Sequence, residues 1–140
     1  MEKKILELSE EYHLLEEQRI ARNLKFAAEG VTFTDIKTAY IDEDVTIGKG
    51  TVIEPNVIIE GGSVIGEGSF IGSGSRIVDS KIEDKVTLWR AIVIESFVGG
   101  GSTVGPFALL RPGTQVGMGC KIGPHVILEG LTIDDGEVID

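Results

Sequence analysis

The sequence predicts an all-β solenoid of hexapeptide repeats behind an N-terminal α-helical segment. Aliphatic residues fall at every sixth position over most of the chain. Glycine recurs at fixed phase between them, 19 of 140 residues where about 7% is ordinary. The first 29 residues, by contrast, hold neither glycine nor proline. The domains expected are therefore 1–30, helical, and 31–140, the repeat region.

The helical segment is rich in Glu, Leu, Lys, Arg and Ala. Ile5, Leu8, Tyr12 and Leu15 recur three and four residues apart, which places them on one helical face. Ile20, Leu24 and Ala27 continue the stripe, slightly rotated. Glu16 stands three residues before Arg19, a modest helix-supporting pair. Gly30 is the expected residue just past the helix C-terminus.

In the repeat region Ile41, Ile47, Ile53, Ile59, Ile65, Ile71 and Ile77 are evenly spaced, as are Val98, Val104, Leu110, Val116, Ile122 and Leu128. A helical period of 3.6 cannot produce this pattern, and plain strand alternation has no such punctuation. Two residues before the anchors stand Val45, Thr51, Val57, Ser63, Ser69 and Ser75, then Ser102, Ala108, Thr114, Cys120 and Val126. Positions two apart on a strand share a face, so both sets point inward, the small ones where the interior is narrow. Three residues after most anchors come Gly50, Asn56, Gly62, Gly68, Gly74, Gly101, Gly113 and Gly119, types that accept the positive φ of a tight corner. Pro55, Pro106, Pro112 and Pro124 precede corner positions, as in type II-like turns. A unit this short cannot bury its own face, so successive turns must stack.

Two places break the rhythm. Ile77 to Ile82 is a five-residue step, and the phase between Leu88 and Val98 is ambiguous around Val93 and Ile94. There LWRAIVIESF is free of glycine, and Trp89, following an anchor, should point outward. A subunit contact is the preferred reading of Trp89, ahead of a ligand site. Beyond Leu128 a further five-residue step leads to anchors Ile133 and Ile139.

The net charge of −10 disfavours nucleic acid and anionic membrane as partners. The single cysteine, Cys120, excludes an internal disulfide and a multi-cysteine metal site. The segment MEKKILELSEEY lacks the apolar core of a signal peptide, so a cytoplasmic protein is expected.

Once the hexads are phased, the phrases GVTFTDIKTAYIDEDVTIGKGTVIEPNVIIEG (30–61), SRIVDSKIED (75–84) and VGPFALLRPGTQVGMGCKIG (104–123) carry a resemblance over about residues 20–130. The chain resembles the bacterial bifunctional N-acetylglucosamine-1-phosphate uridyltransferase/glucosamine-1-phosphate acetyltransferase family, in its connector helix and the first part of its acetyltransferase domain. That resemblance implies a left-handed parallel β-helix of three hexads per coil, a homotrimer, and acetyl transfer from acetyl-CoA to an amino sugar phosphate at sites between subunits. It places the chain near nucleotide sugar metabolism and cell wall precursor synthesis.

Residue by residue, the resemblance transfers little. Arg111, in LLRPG, matches an arginine that helps hold the sugar phosphate in that family. One coil on, where the family has a lysine, this chain has Glu129, and Ile127 replaces a family glutamate. The phrase with the catalytic histidine has no counterpart within the 140 residues, nor do the acetyl-CoA-binding coils. The glycine-rich uridyltransferase loop and its metal-binding acids are absent as well, and no uridyltransferase activity is expected.

The candidate site residues are correspondingly few. Arg111 reads as an anion-holding arginine or, with more weight, as a solvated or salt-bridged one opposite Glu129. His125 is a candidate general base, but it sits in a corner slot, and a corner role is preferred. His13 lies on the helix and is expected in solvent. Cys120 occupies a small inward slot without a partner base and reads as core. No metal is expected, since one histidine per chain in the repeat region cannot supply a three-histidine zinc site. GGGS (99–102) lacks the Lys-Ser/Thr of a phosphate loop and reads as a corner.

Three hypotheses follow. In the first, this is a non-catalytic or structural trimer of the acetyltransferase lineage, with no certain cofactor. In the second, it is an acyl-CoA-dependent acetyltransferase with acetyl-CoA as cosubstrate and a sugar phosphate as acceptor. In the third, the chain is a fragment or a redesigned scaffold of a longer enzyme.

Overall fold

A computed structural model describes all 140 residues. Helix α1 (Glu2–Ala28) is followed by nineteen strands of two or three residues each. Every third strand pairs in parallel with the same face of the preceding coil, giving three sheets of seven, six and six strands. The body is a left-handed parallel β-helix of about six turns. Crossovers between parallel strands are usually right-handed because a helix packs back onto a twisted sheet. Strands of two residues joined by tight corners carry no such helix, so that preference has nothing to act on.

The first face begins at Thr32–Phe33, the second at Tyr40–Ile41 and the third at Thr46–Ile47. Each coil places one aliphatic anchor inward per face, and the register confirms it: Ile41, Ile59 and Ile77 are stacked partners. All the anchors expected from Ile41 to Leu128 are buried, as is Ile133, whereas Ile139 is only partly so. The ambiguous stretch resolves on Val93, which is fully buried and paired with Ile77 and Leu110.

The small inward residues do more than leave room. Ser63, Ser69 and Ser75 are buried, and their hydroxyls accept the N–H groups of Ser80, Val86 and Ala91 in the next coil, each at 3.1 Å. Ser69 also donates to the carbonyl of Glu83 at 2.9 Å. The narrow interior is thus stitched by hydroxyls that take up corner amides of the next coil.

One expected corner is displaced. The positive φ following Ile59 belongs to Gly61 (φ 68), not to Gly62. On leaving the second face the chain turns two residues after the anchor at Gly61, Asp79, Glu95 and Gly130. Gly62 is then an extra residue, its N–H bound by Asp79 Oδ1 at 3.0 Å, and the five-residue steps after Ile77, Val93 and Leu128 lack that extra residue. The step from Leu88 to Val93 is shortened in the same way at the preceding corner, around Arg90 (φ 42).

Helix α1 ends as expected. Gly30 (φ 104) follows it, and the N–H groups of Gly30 and Val31 return to the carbonyls of Ala27 and Phe26, the bonding pattern of a Schellman closure. Glu16 and Arg19 form the expected pair at 3.8 Å. The contact with the solenoid, however, is polar. Asn23 is fully buried and donates from Nδ2 to the carbonyls of Ile36 and Ala39 at 2.9 and 3.0 Å. Arg19 donates to Lys37 and Ala39, and Arg22 to Ile41, while Phe26 packs against the core. The apolar stripe Ile5, Leu8, Tyr12 and Leu15 stays exposed. No helix is long and apolar enough to cross a membrane.

Candidate functional site

Arg111 ends the strand Leu109–Arg111 on the second face. Its backbone is held firmly: its carbonyl accepts the hydroxyls of Ser96 at 2.9 Å and Thr114 at 2.7 Å. Pro112 and Gly113 (φ 85) then turn the chain. The β register sets Glu129 directly beside Arg111 in the next coil, and Arg111 Nε lies 3.3 Å from Glu129 Oε1. Both side chains are more than half exposed, so the pair contributes at most about 1 kcal/mol. Its effect on chemistry is larger, because the carboxylate occupies the cation that an incoming anion would need.

His125 follows Pro124 at a corner with φ 61 and donates its N–H to the carbonyl of Pro106. Its ring stacks on Phe107, centroids 5.2 Å apart and planes at 13°. Phe107 stands at the same corner one coil earlier with φ 62. His125 precedes the strand Ile127–Glu129 and Arg111 lies level with its far end. Roughly 13 Å of extended backbone, at about 3.3 Å per residue, separates the two candidates within one chain, so the fold does not bring them together.

Cys120 is buried; its N–H bonds Ser102 Oγ at 3.0 Å and its thiol points at the carbonyl of Asp134 at 3.0 Å. No base or cation accompanies it. His13 is exposed on α1. Trp89 is half-exposed at the end of a first-face strand, its ring 4.9 Å from that of Phe70 and tilted by 49°. In GGGS, Gly101 (φ 75) makes the corner, Gly100 donates to Glu83 Oε1 at 3.2 Å, and Gly99 lies against the backbone of Gly117. No three His, Cys, Asp or Glu side chains converge as metal ligands.

Among the concavities outside the sequence-based candidates, one lies along the shortened corners. A groove of about 510 Å³ runs past the shortened corners at Asp79 and Glu95, between Gly62 and Gly113, and its walls include Lys81, Phe97 and Gln115. The available signal was the five-residue steps, which share this corner. Its charges are mixed, two carboxylates against one ammonium.

The model of the family described as GMPPB C-terminal domain matches residues 36–133. The chain belongs to the GMPPB C-terminal domain family. It is also similar to the bifunctional protein GlmU of Enterococcus faecalis, 50% identical over 107 residues, covering 76% of this chain and 23% of the relative. GlmU of Clostridium beijerinckii is 39% identical over 114 residues, 81% of this chain and 25% of the relative. The chain thus spans about a quarter of the length of these curated relatives. Among solved structures, the acetyltransferase domain of PglB from Neisseria gonorrhoeae, in complex with acetyl coenzyme A, matches with a TM-score of 0.72 at 24% identity. That match covers 79% of this chain and 54% of the other. A hexapeptide transferase family protein from Anaplasma phagocytophilum matches with a TM-score of 0.65 at 21% identity, covering 79% and 78%. For this member of the GMPPB C-terminal domain family, such structural likenesses carry the β-helix itself, and function rests on its own residues.

Proposed function

We propose that this chain is a non-catalytic, structural homotrimer built on the acetyltransferase-like β-helix, with residues 31–140 as its body and 1–30 as an appended arm. It acts in the cytoplasm as an assembly or regulatory partner near nucleotide sugar and cell wall precursor metabolism. The observation that carries this reading is the Arg111–Glu129 pair: the one arginine matching a phosphate-holding position is neutralised by the residue in register above it. The stacking of His125 on Phe107 supports it, since that ring is engaged in a corner contact. Acetyl-CoA is a polyanion, and the residues present do not fit it. Arg111 is paired, and the groove beside Lys81 carries Asp79 and Glu95. The test is calorimetric titration of the purified protein with acetyl-CoA and with glucosamine 1-phosphate. Absence of heat for both is the expected result, and saturable binding of either, with acetyl transfer abolished by Arg111→Ala, overturns the reading.

Identity of 50% to a GlmU over 107 residues favours a second reading, an acetyltransferase acting on an amino sugar phosphate with acetyl-CoA as cosubstrate. In that reading Arg111 clamps the anion and His125, from a neighbouring subunit, is the base. Mass spectrometry of amino sugar phosphates incubated with acetyl-CoA, yielding an acetylated product, selects it.

A further inference from the structure

We infer that the edge of the third sheet, at strand Thr46–Ile47, docks an extended, uncharged segment of a partner protein as one further parallel strand beside α1. The site lies apart from Arg111 and His125 and goes beyond the function proposed above.

The first coil has no coil beneath it, so its ladder carbonyls lack the donors that the coils above receive. On the second face this need is met. Tyr40 and Asp42 donate upward to Val57 and Ile59, which leaves the carbonyls of Ala39 and Ile41 facing away from the stack. Arg19 and Asn23 donate to Ala39 at 2.9 and 3.0 Å, and Arg22 Nε donates to Ile41 at 2.9 Å. Side chains of α1 thus stand where the missing strand would be. On the third face the same geometry is left open. Thr46 and Gly48 donate upward to Ser63 and Ile65, so the carbonyls of Val45 and Ile47 face away from the stack. Thr46–Ile47 pairs on one side alone, with Val64–Ile65, and no donor reaches either carbonyl.

A groove of about 550 Å³ opens at this edge. Val45, Thr46 and Ile47 form one wall, and Ala21, Lys25 and Phe26 of α1 form the other. An unpaired strand edge is a template for another chain. Adding a strand supplies main-chain bonds for affinity and alternate side chains for choice. The neighbours in this sheet are parallel. A strand continuing that ladder gives N–H groups to Val45 and Ile47 and receives the N–H of Ile47. Its side chains divide between two faces. One set continues outward beneath Thr46, and the other lies beneath Ile47 towards Phe26, which is only partly buried against the core. An aliphatic residue suits that second position. Charge decides the rest. Arg22 and Lys25 in the groove are balanced by Glu29 and Glu43, and none of the four belongs to an ion pair. On a chain of net charge −10 this is a locally neutral zone, which an uncharged strand enters without repulsion.

The test uses the whole chain and, as probe, the acetylated and amidated hexapeptide GGSVIG, the sequence of residues 61–66. That segment contains Val64–Ile65, already the parallel neighbour of Thr46–Ile47 on its other side. Nuclear magnetic resonance titration should give saturable shifts at Thr46 and Ile47, with hydrogen exchange of the Ile47 amide slowed tenfold or more. Methylating the peptide amides at its valine and final glycine removes the two donors and should weaken binding tenfold or more. Ala21→Trp, which fills the groove from an exposed position on α1, should do the same with unchanged circular dichroism. Leu14→Trp, exposed on α1 outside the groove, should leave binding as it is. Absence of saturable shifts at millimolar peptide overturns the site. Equal binding by the methylated peptide, or shifts confined to residues 131–139 at the other end of the stack, overturns strand addition at this edge. Acetyl-transfer assays decide the non-catalytic reading independently of either result.

Discussion

The guanidinium of Arg111 and the carboxylate of Glu129 are register partners in adjacent coils, 3.3 Å apart at Nε and Oε1. Because the pair is exposed, Arg111→Ala should change stability by less than about 1 kcal/mol. Glu129→Lys should act differently. It removes a neutralising charge and places a second cation about one coil from the first, an arrangement that attracts phosphate. Titration with inorganic phosphate or glucosamine 1-phosphate should reveal weak binding in Glu129→Lys that wild type lacks. Equal binding by both would refute the account of why Arg111 is disarmed.

Ile65 tests the inward assignment of the anchors. It is 2% exposed and sits between Ile47 and Ile82 on the third face. Ile65→Ala should cost about 2–5 kcal/mol, whereas Ile139→Ala, partly exposed in the last strand, should cost distinctly less. Thermal or urea unfolding measures both, and equal losses would contradict the core as described.

Much of this architecture was legible in residue spacing, for a reason the ladder makes plain. Each anchor returns to the same face after one coil, so Arg111 and Glu129, eighteen positions apart in the sequence, could be paired before any coordinates. The corners were legible only where glycine, asparagine or proline marks them. Lys85, Arg90 and Glu95 adopt positive φ without belonging to types that advertise it, so two of the shortened corners, and the groove beside Glu95, are obscure in the sequence. For α1 the apolar stripe was visible but its partner was not. The contact with the solenoid uses Arg19, Arg22 and Asn23 against carbonyls, and hydrogen bonding of that kind leaves no periodic trace.

Ser69 measures the worth of the hydroxyl stitching. Its Oγ accepts the Val86 N–H at 3.1 Å in a fully enclosed setting. Ser69→Ala strands that donor, and the expected loss is about 1–3 kcal/mol although the side chain shrinks by one atom. A neutral outcome in denaturant titration would mean the hydroxyls are fillers only.

Glu95 holds φ 41 with an exposed side chain. An L-residue in the left-handed region costs roughly 1–2 kcal/mol, partly offset in a glycine variant by about 0.5–1 kcal/mol of extra chain entropy on unfolding. Glu95→Gly should therefore be neutral to stabilising by up to about 1 kcal/mol, against the usual direction for glycine in β structure. A lowered melting temperature would show that the carboxylate has a structural role the hydrogen bonds do not reveal.

Gly99 supplies the opposite case in the same molecule. A Cβ there would stand 2.5 Å from the carbonyl carbon and 2.6 Å from the carbonyl oxygen of Gly117 in the coil above. These are backbone atoms of a paired ladder and cannot rotate away as a side-chain tip would. The amide of Gly99 itself bonds the carbonyl of Val116 at 2.7 Å, so the two coils cannot separate at this point without breaking the ladder. Gly99→Ala should cost more than about 2 kcal/mol, in the range of overpacked cores. Gly62→Ala, which meets nothing within 4 Å, should be tolerated. If unfolding experiments ranked these two glycines the other way, the spacing of the coils around GGGS would have to differ from the one described.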